Sequence, residues 1–270
     1  MKKKYELLNK KMRWKAAEML AKDRLDIINS NLDDVEVKHS IYSKYVKRLL
    51  DIIISLVALV LSLPINIVIG LLTIIDVGRP IIFKQKRLGL NGKEFTIYKF
   101  RNMTNEKDEY GELLPANERI TRFGSFVRRT SLDELLNFWS IFKGDMSIIG
   151  PRPLPPEYHI RFNKRHLARL SVKPGLECPL IKQTNSVWTW DQQFDNDVWY
   201  VENVSFKVDL LLLIALFKFA FNKSNSIARA KVQRGIFMGY DLNGKVLTLE
   251  NVPEYYLDEV LKSEGKWKNC

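Results

Sequence analysis

The stretch YVKRLLDIIISLVALVLSLPINIVIGLLTIIDVGRP, residues 45–80, decides the fold class of this chain. Nearly every residue from Leu49 to Ile75 is apolar. The run is about 25 residues long, enough to cross the hydrocarbon core of a bilayer. A helix that is apolar on all sides would need a large protein to bury it. Because the chain has only 270 residues, the segment is predicted to insert into a membrane.

Basic residues lie on both sides of the apolar run. Lys44, Lys47 and Arg48 precede it, and Arg79 and Lys84 follow it. Lysine and arginine are enriched on the cytoplasmic side of membranes. Both ends of the segment are therefore predicted to lie on that side.

Pro64 lies near the middle of the run, between Ser62 and Asn66. Because proline removes a backbone hydrogen bond and clashes with the preceding turn, it is expected to bend a helix here. Each half has roughly 13 residues, or about 20 Å of helix, which reaches only part of the way through a bilayer. The sequence predicts a re-entrant helix-break-helix over residues 44–76, with Ser62 and Pro64 at the break. The alternative is a kinked helix that spans the membrane.

Three further segments lie outside this apolar region. Residues 1–43 mix basic and apolar residues at rough helical spacing, which predicts a basic amphipathic extension on the membrane or on the protein. Such a helix suits dimerisation and lipid binding equally well. The apolar run at 208–221 is too short for a span, which favours an interfacial amphipathic helix or a core helix. Residues 223–270 match no assignable motif and form a C-terminal extension of unknown role.

The residues after the apolar run, PIIFKQKRLGLNGKEFTIYKFRNM (80–103), are predicted to form a small β-hairpin. Two runs rich in Ile, Phe, Thr and Tyr flank Asn91–Gly92, a dipeptide that readily adopts the positive φ angles of a tight turn. Combined with the helical segments, this hairpin predicts an α+β fold that is predominantly helical. The soluble domain is expected over residues 77–222.

Composition narrows the classes of partner. The net charge is +12 and the pI about 9.5, which favours nucleic acid, anionic lipid or a phosphorylated substrate. Two cysteines, Cys178 and Cys270, cannot build a disulfide framework, so a reducing compartment is expected. Neither a GxxxxGK[ST] loop nor a GxGxxG turn occurs, which argues against P-loop and Rossmann nucleotide sites.

Two adjacent carboxylates, Asp133 and Glu134, lie in the stretch RFGSFVRRTSLDELLNFW, residues 122–139. One interpretation is structural. Ser131 and Glu134 have the spacing of a capping box, in which the two side chains satisfy the first N–H groups of a helix. Acidic residues in the first turn also suit the helix dipole.

The other interpretation of this stretch is chemical, and the two are compatible. A helix start and nearby arginines lower the pKa of a carboxylate, and an ionised aspartate can attack phosphorus. The neighbouring glutamate suits Mg²⁺, which neutralises diphosphate oxygens, while Arg128 and Arg129 suit the oxygens of a phosphoryl group. Downstream, glycines and prolines in KGDMSIIGPRPLPPEY (143–158) predict a stiff loop that carries Arg152.

Taken together, these residues resemble the bacterial sugar transferase family, the monotopic phosphoglycosyl transferases. The resemblance covers about residues 44–222, in family order. The matching motifs are KRLLDIIIS…P (47–64), GRPIIFKQKRLG (78–89), FTIYKFRNM (95–103), RITRFGSFVRRTSLDELLNFWSIFKGDMSIIGPRPL (119–154), VKPG (172–175) and DVWYVENVSFKVDL (197–210). The long central motif is highly specific.

The resemblance implies a monotopic enzyme on the cytoplasmic face of the bacterial inner membrane. It would transfer a phosphosugar from a nucleotide sugar, usually a UDP-sugar, to polyprenyl phosphate and release UMP. This is the first membrane step of a glycan pathway such as exopolysaccharide or lipopolysaccharide biosynthesis. The implied partners are a nucleotide sugar, polyprenyl phosphate and membrane lipid, without nucleic acid; a homodimer is left open.

The resemblance also implies roles for individual residues. In the ping-pong mechanism of the family, Asp133 attacks the sugar-bearing phosphorus and keeps the phosphosugar covalently, while Glu134 helps to bind Mg²⁺. Lys99, Arg128 and Arg152 fall at family positions that line the phosphate site. The full set of predicted phosphate-binding residues is Lys99, Arg101, Arg128, Arg129 and Arg152.

The chain departs from the family pattern in two places. Leu63 stands where relatives typically have a serine directly before the proline, and Ser62 is one position earlier. The segment LECPLIKQTNS (176–186) replaces a family pattern whose arginine aligns with Asn185, so that Lys182 is the nearest substitute for the charge. The altered segment 176–186 supports a rival hypothesis, a catalytically inactive relative that acts as a membrane-bound scaffold. A nucleic-acid binder rests on net charge alone.

Overall fold

The computed structural model describes residues 4–107, 109, 111, 113–179, 189–221 and 235–264. The structure is mostly helical with three small two-stranded sheets, which confirms the predicted helical α+β class. Its α-helices are α1 (Lys10–Asn29), α2 (Lys47–Val77), α3 (Ala116–Arg119), α4 (Arg122–Arg129), α5 (Asn137–Lys143), α6 (Lys164–Leu167), α7 (Trp190–Asn203), α8 (Phe206–Phe221) and α9 (Glu254–Ser263). A π-helical turn, Tyr42–Val46, leads into α2.

The sheets are local and short. Their strands are β1 (Ile82–Leu88), β2 (Glu94–Phe100), β3 (Ser147–Ile149), β4 (Gly175–Glu177), β5 (Phe237–Tyr240) and β6 (Val246–Thr248). Strands β1 and β2 pair antiparallel, β3 and β4 pair parallel, and β5 and β6 pair antiparallel. The predicted β1–β2 hairpin is confirmed, and its turn has φ values of 55° at Asn91 and 75° at Gly92, as the Asn-Gly dipeptide favours.

The apolar segment forms one helix. Helix α2 is continuous through Pro64, so the predicted break in helical structure is not seen. Long helices tolerate an internal proline by bending, since only the bond to the carbonyl four residues earlier is lost. Near the proline, Ser62 Oγ donates to the Leu59 carbonyl at 3.4 Å and accepts from Asn66 Nδ2 at 3.2 Å. The Ser62 hydroxyl thus bonds to the Leu59 carbonyl. The carbonyl that loses its usual helical donor is that of Val60, because Pro64 has no N–H.

A single stripe of α2 packs on the rest of the protein. It contains small or polar side chains at several positions, namely Asp51, Ser55, Ser62, Gly70 and Thr73, with Ile69 among them. The other faces carry exposed Leu, Ile and Val, for example Leu49, Ile53, Val60, Leu63, Ile67 and Ile75. Within the described chain, residues 42–77 form the one helix that is long and apolar enough to cross a membrane.

Both ends of α2 are hydrogen-bonded to the domain that follows it. Near its start, Asp51 accepts from Ser147 Oγ and from the Ile148 N–H, each at 3.0 Å. At its end, Asp76 accepts from Thr121 Oγ1 at 2.5 Å, and Arg101 donates to the Val77 carbonyl. Both ends of α2 are therefore anchored to the domain that follows it.

The N-terminal and C-terminal extensions pack together. The buried face of α1, which includes Met12, Ala16 and Leu20, contacts Met238 of β5 and Val260 of α9 in one apolar core. The predicted amphipathic helix is thus covered along its apolar face by the chain's own C-terminal segment. This packing joins residues that are more than 200 positions apart in the sequence.

A second, aromatic core joins the extensions to the central domain. Phe237 of β5 lies against Phe162, Phe194 and Trp190, with ring centroids 5.9, 5.1 and 6.0 Å away. Arg161 is almost fully buried and donates to the Phe237 carbonyl. Strand β5 therefore forms part of the packing that supports the loop after β3.

Candidate active site

The two carboxylates lie in a tight turn. Residues Leu132–Glu134 form a single 3₁₀ turn between α4 and α5. Ser131 precedes it with a left-handed backbone (φ 56°) and makes no side-chain capping hydrogen bond, so the predicted capping box is wrong. A capping box requires an extended residue at the N-cap, and the left-handed Ser131 does not provide one. The Glu134 side chain is instead turned toward basic residues.

Glu134 is paired with two cations. Its Oε1 accepts from Lys99 Nζ at 2.6 Å and from a terminal nitrogen of Arg152 at 2.7 Å. The same guanidinium reaches Glu177 Oε2 at 3.3 Å. Burial by itself would raise the pKa of Glu134, but the charges of Arg152 and Lys99 outweigh it and hold the pKa well below its usual value. In turn, Glu134 raises the pKa of Arg152.

Asp133 lies in a different environment, although it is the next residue. Its side chain is buried, and Oδ2 accepts from Asn102 Nδ2 at 3.2 Å. Burial raises the pKa of Asp133 above its usual value, the Lys99 charge opposes the shift, and the Glu134 charge adds to it. The predicted net lowering of this pKa is therefore wrong for Asp133, because burial outweighs the lowering by Lys99 and Arg128. Glu134 is thus held in its ionised form, whereas burial disfavours the ionised form of Asp133.

The hairpin and α4 bring these groups together. Lys99 lies on β2 and Asn102 follows that strand directly, while Asn137 Oδ1 accepts from the Tyr98 N–H at 3.3 Å and joins α5 to the strand. Gly124 of α4 lies against the Asn102 carbonyl so closely that a Cβ there would be 2.1 Å from the oxygen. The Asn102–Asp133 contact thus depends on a close approach that glycine permits.

Glu134 lines a small open cleft, and Asp133 is buried next to it. The walls of the cleft come from the hairpin, the 3₁₀ turn, α5 and the β3–β4 region, and the polar side chains that line it are Arg87, Lys99, Glu134, Asn137 and Arg152. Three of these five groups are cationic. Such a surface suits an anion with several oxygens, such as a phosphate or diphosphate.

This geometry coincides with a known family. The model of the family described as bacterial sugar transferase matches residues 42–223, which include α2, the hairpin, the carboxylate turn and α8. The chain belongs to the bacterial sugar transferase family. The resemblance predicted from the motifs is thereby confirmed.

Named relatives agree with this assignment. An uncharacterised sugar transferase of Bacillus subtilis (strain 168), EpsL, is 43% identical over 172 residues, 62% of this chain and 83% of the relative. A UDP-glucose:undecaprenyl-phosphate glucose-1-phosphate transferase of Klebsiella pneumoniae is 33% identical over 189 residues, 66% of this chain and 41% of the relative. A putative undecaprenyl-phosphate N-acetylgalactosaminyl 1-phosphate transferase of B. subtilis is 39% identical over 119 residues, 43% of this chain and 66% of the relative. The match thus spans most of EpsL but less than half of the Klebsiella protein. The names confirm that the family is one of phosphoglycosyl transferases.

The transferase brings together some of the predicted site residues and separates others. Lys99 and Arg152 meet at Glu134, as described. Arg128 is exposed at the end of α4, and its charge lowers the pKa of Asp133, so it lies near that carboxyl. Arg129 is exposed at the end of the same helix. Arg101 donates to the Val77 carbonyl at the end of α2 and thus binds the membrane helix instead of the carboxylate pair.

Four residues of the site were not selected from the sequence. Asn102, which contacts Asp133, lies one position after a selected arginine, and Asn137 lies three positions after Glu134. Glu177 shares the guanidinium of Arg152 and falls in the divergent segment 176–186. Arg87 lies on β1 of the hairpin and lines the cleft. Lys182 and Asn185 lie outside the described residues.

The acidic residues of the site are compatible with the implied Mg²⁺. No group of three or more His, Cys, Asp or Glu side chains that could hold a metal ion occurs in the part of the chain that the structure describes. Magnesium does not need one, since it is commonly held by one or two carboxylates together with substrate phosphates and water. Asp133 and Glu134 fit that pattern, and Glu134 is kept ionised.

Proposed function

We propose that this protein is a phosphoglycosyl transferase that moves a phosphosugar from a UDP-sugar to polyprenyl phosphate, giving a polyprenyl-diphosphate-linked sugar and UMP. The observation that carries the proposal is a pair of adjacent carboxylates with opposite pKa shifts, of which Glu134 lines a cleft with Arg87, Lys99 and Arg152 and Asp133 is buried beside it. The printed names of the Klebsiella and B. subtilis relatives support the reaction class. Since these names mention different sugars, the transferred sugar is not specified.

In the proposed first step, Asp133 is the nucleophile. A carboxylate oxygen of Asp133 forms a bond to the sugar-bearing phosphorus, and the bond from that phosphorus to the bridging oxygen breaks. UMP leaves with the bridging oxygen and its electron pair. A buried carboxylate with a raised pKa is a stronger nucleophile than a solvated one, and Asn102 holds its second oxygen in place.

In the second step, an oxygen of polyprenyl phosphate attacks the same phosphorus. The bond to Asp133 breaks, and the carboxylate returns to its initial state. Lys99 and Arg152 are positioned to stabilise the negative charge on the phosphoryl oxygens in both steps. Glu134 is proposed to hold Mg²⁺, which when bound neutralises diphosphate oxygens.

The same proposal includes a monotopic placement on the cytoplasmic face of the inner membrane. A helix of 31 residues is about 46 Å long at 1.5 Å per residue and would suffice to span. However, the hydrogen bonds of Asp51 and Asp76 place both its ends on one domain. That contact pattern supports a helix that enters and leaves on one side, with the site at the interface between the soluble donor and the lipid acceptor.

The decisive experiment is UMP release by purified protein in detergent or nanodiscs. It uses a panel of UDP-sugars, polyprenyl phosphate and Mg²⁺. The expected result is UMP release that requires metal, and a stoichiometric burst of UMP with donor alone, because the first step does not need the lipid. Asp133→Asn should abolish both. Folded protein that is silent across the panel would contradict the proposal and favour the inactive scaffold.

Topology is tested separately. Single cysteines at Lys44 and at Arg79, in a chain with Cys178→Ser and Cys270→Ser, are treated with a membrane-impermeant maleimide. In inside-out vesicles both positions should react, and in intact spheroplasts neither should. Reaction of one position in each preparation would show a spanning helix.

A further inference from the structure

The hydrogen bonds of the Arg87 side chain in the active-site cleft go to neutral groups. One terminal nitrogen donates to the Pro153 carbonyl at 3.1 Å and the other to Gln85 Oε1 at 2.6 Å. The residue is half-buried, and its Nε is shielded from solvent and makes no hydrogen bond among the described residues. Because charges that are removed from water are normally paired, this arrangement suits an anionic ligand.

The neighbouring charges strengthen this argument. Both carboxylates on that side of the cleft, Glu134 and Glu177, are engaged by Arg152. Burial and the like charge of Arg152 lower the pKa of Arg87 to about 10, so Arg87 is still protonated at neutral pH. Two guanidinium groups that repel each other across one cleft form a site for a bound anion.

The order of the groups along the cleft shows which part of a diphosphate each would meet. Asn102, which contacts Asp133, lies three residues after Lys99 of β2. In the β1–β2 register Arg87 lies opposite Phe95, four residues before Lys99. The order along the hairpin is therefore Asp133 at Asn102, then Lys99, then Arg87.

We propose that Arg87 binds the nucleotide-side phosphate of the donor, the phosphate that leaves as part of UMP. This inference rests on the proposed function, because it assigns the second phosphate of that substrate. Asp133 attacks the sugar-bearing phosphorus at one end of the cleft, and Arg87 binds the departing phosphate at the other. The guanidinium is already fixed by Pro153 and Gln85, so little side-chain entropy is lost on binding. Because Pro153 follows Arg152 directly, the two phosphate contacts share one rigid segment.

The test measures UMP binding, which does not depend on turnover. Titration calorimetry on the full-length protein in detergent compares wild type with Arg87→Gln and Arg87→Lys. We expect Arg87→Gln to weaken UMP binding roughly tenfold or more, and Arg87→Lys to fall between, since lysine keeps the charge but not the planar fork. The matched control is Lys86→Gln. It removes the same charge from the adjacent residue, which is exposed and paired with Glu94 at 2.9 Å, and it should bind UMP like wild type.

Kinetics separates binding from a purely structural role. If Arg87 contacts the leaving phosphate, product inhibition by UMP weakens in Arg87→Gln by about the factor that calorimetry gives. If Arg87 only holds the Pro153 carbonyl, kcat falls while the UMP dissociation constant stays at the wild-type value, and the inference is overturned. An unchanged melting temperature shows that the variant is folded. If Arg87→Gln is not folded, the same comparison is made with Arg87→Lys. A wild-type protein that binds UMP but releases none from any donor would overturn the proposed function, whereas unchanged UMP binding in Arg87→Gln from an active enzyme would overturn only this inference.

Discussion

The guanidinium of Arg169 donates a 2.8 Å hydrogen bond to the backbone carbonyl of Arg152. Arg169 is itself fixed by a buried ion pair with Asp197 of α7, at 2.8 Å, and both side chains are almost completely shielded from solvent. Arg152, which pairs with Glu134 in the cleft, is thus hydrogen-bonded through its backbone carbonyl to a second arginine. This connects α7, which lies outside the cleft, to the position of the catalytic guanidinium.

Removing the Asp197 charge should therefore affect both stability and the site. Asp197→Asn leaves a buried guanidinium without its counter-ion, which is expected to lower the free energy of unfolding by about 3 kcal/mol. The measurement is thermal unfolding of the detergent-solubilised protein. The control is Asp34→Asn, which breaks the exposed pair with Lys164 and should change stability by less than about 1 kcal/mol. Equal effects of the two substitutions would show that the buried pair does not support the fold.

The two active-site carboxylates should respond oppositely to neutralisation. Glu134 has a lowered pKa, so its charge stabilises the folded state above the usual pKa of a glutamate, and this stability is lost as pH falls through the lowered value. At pH 7.5, Glu134→Gln leaves Lys99 and Arg152 without their carboxylate and should cost roughly 1–3 kcal/mol. Thermal unfolding at pH 7.5 is the measurement.

Asp133→Asn should raise the melting temperature at the same pH. The raised pKa of Asp133 means that its ionised form is less favourable in the folded than in the unfolded chain. Replacing it removes that cost. The gain should begin to fall as pH drops through the raised pKa and should be lost below the usual pKa of an aspartate, where wild-type Asp133 is protonated in both states. Activity should be lost in this variant, as expected where a functional group is held at the expense of stability. A lower melting temperature at pH 7.5 would contradict the assigned environment of Asp133.

Local sequence signals predicted the parts of this structure that depend on near neighbours. The Asn91–Gly92 turn needs only the φ preferences of two residues, and the long apolar helix only its composition. The capping box at Ser131 failed because the backbone there is set by how α4 and α5 pack, which no four-residue pattern contains. Pro64 did not end its helix, since the flanking apolar residues remain helical on both sides.

The active site was predictable in its residue types and not in its partners. Acidic and basic residues in one motif indicated phosphate chemistry. Nothing in the motif indicated that the pKa values of Asp133 and Glu134 shift in opposite directions. Their opposite pKa shifts arise from Lys99, Arg152 and burial, which are contributed by separate elements. The pairing of α1 with α9 lacked any local signal, because the two helices meet only in the folded chain.

The N-terminal extension is expected to act as a structural part of the protein. Leu20 is fully buried in the core that α1 forms with β5 and α9. Leu20→Ala should lower the free energy of unfolding by about 2–5 kcal/mol through lost burial and the cavity that remains. Chemical denaturation of the full-length protein measures this. The control is Ile27→Ala on the same helix, where the side chain is 55% exposed and little change is expected. An unchanged midpoint for Leu20→Ala would favour a role in lipid binding or dimerisation.

Replacement of glycine by alanine should destabilise the protein at Gly124 of α4 and not at Gly70 of α2. A Cβ at Gly124 would lie 2.1 Å from the Asn102 carbonyl oxygen, so Gly124→Ala must push α4 away from the residue that contacts Asp133. We expect a lower melting temperature and a loss of UMP release. At Gly70 of α2, a Cβ would meet Phe100 and Ile81 at 3.7 and 3.8 Å, which is ordinary contact. Gly70→Ala should therefore be neutral or stabilise the protein by up to about 1 kcal/mol through helix propensity, with activity retained. Thermal unfolding and the UMP assay on both variants check this. A tolerated alanine at Gly124 would mean that α4 does not need this close approach to place Asn102 beside Asp133.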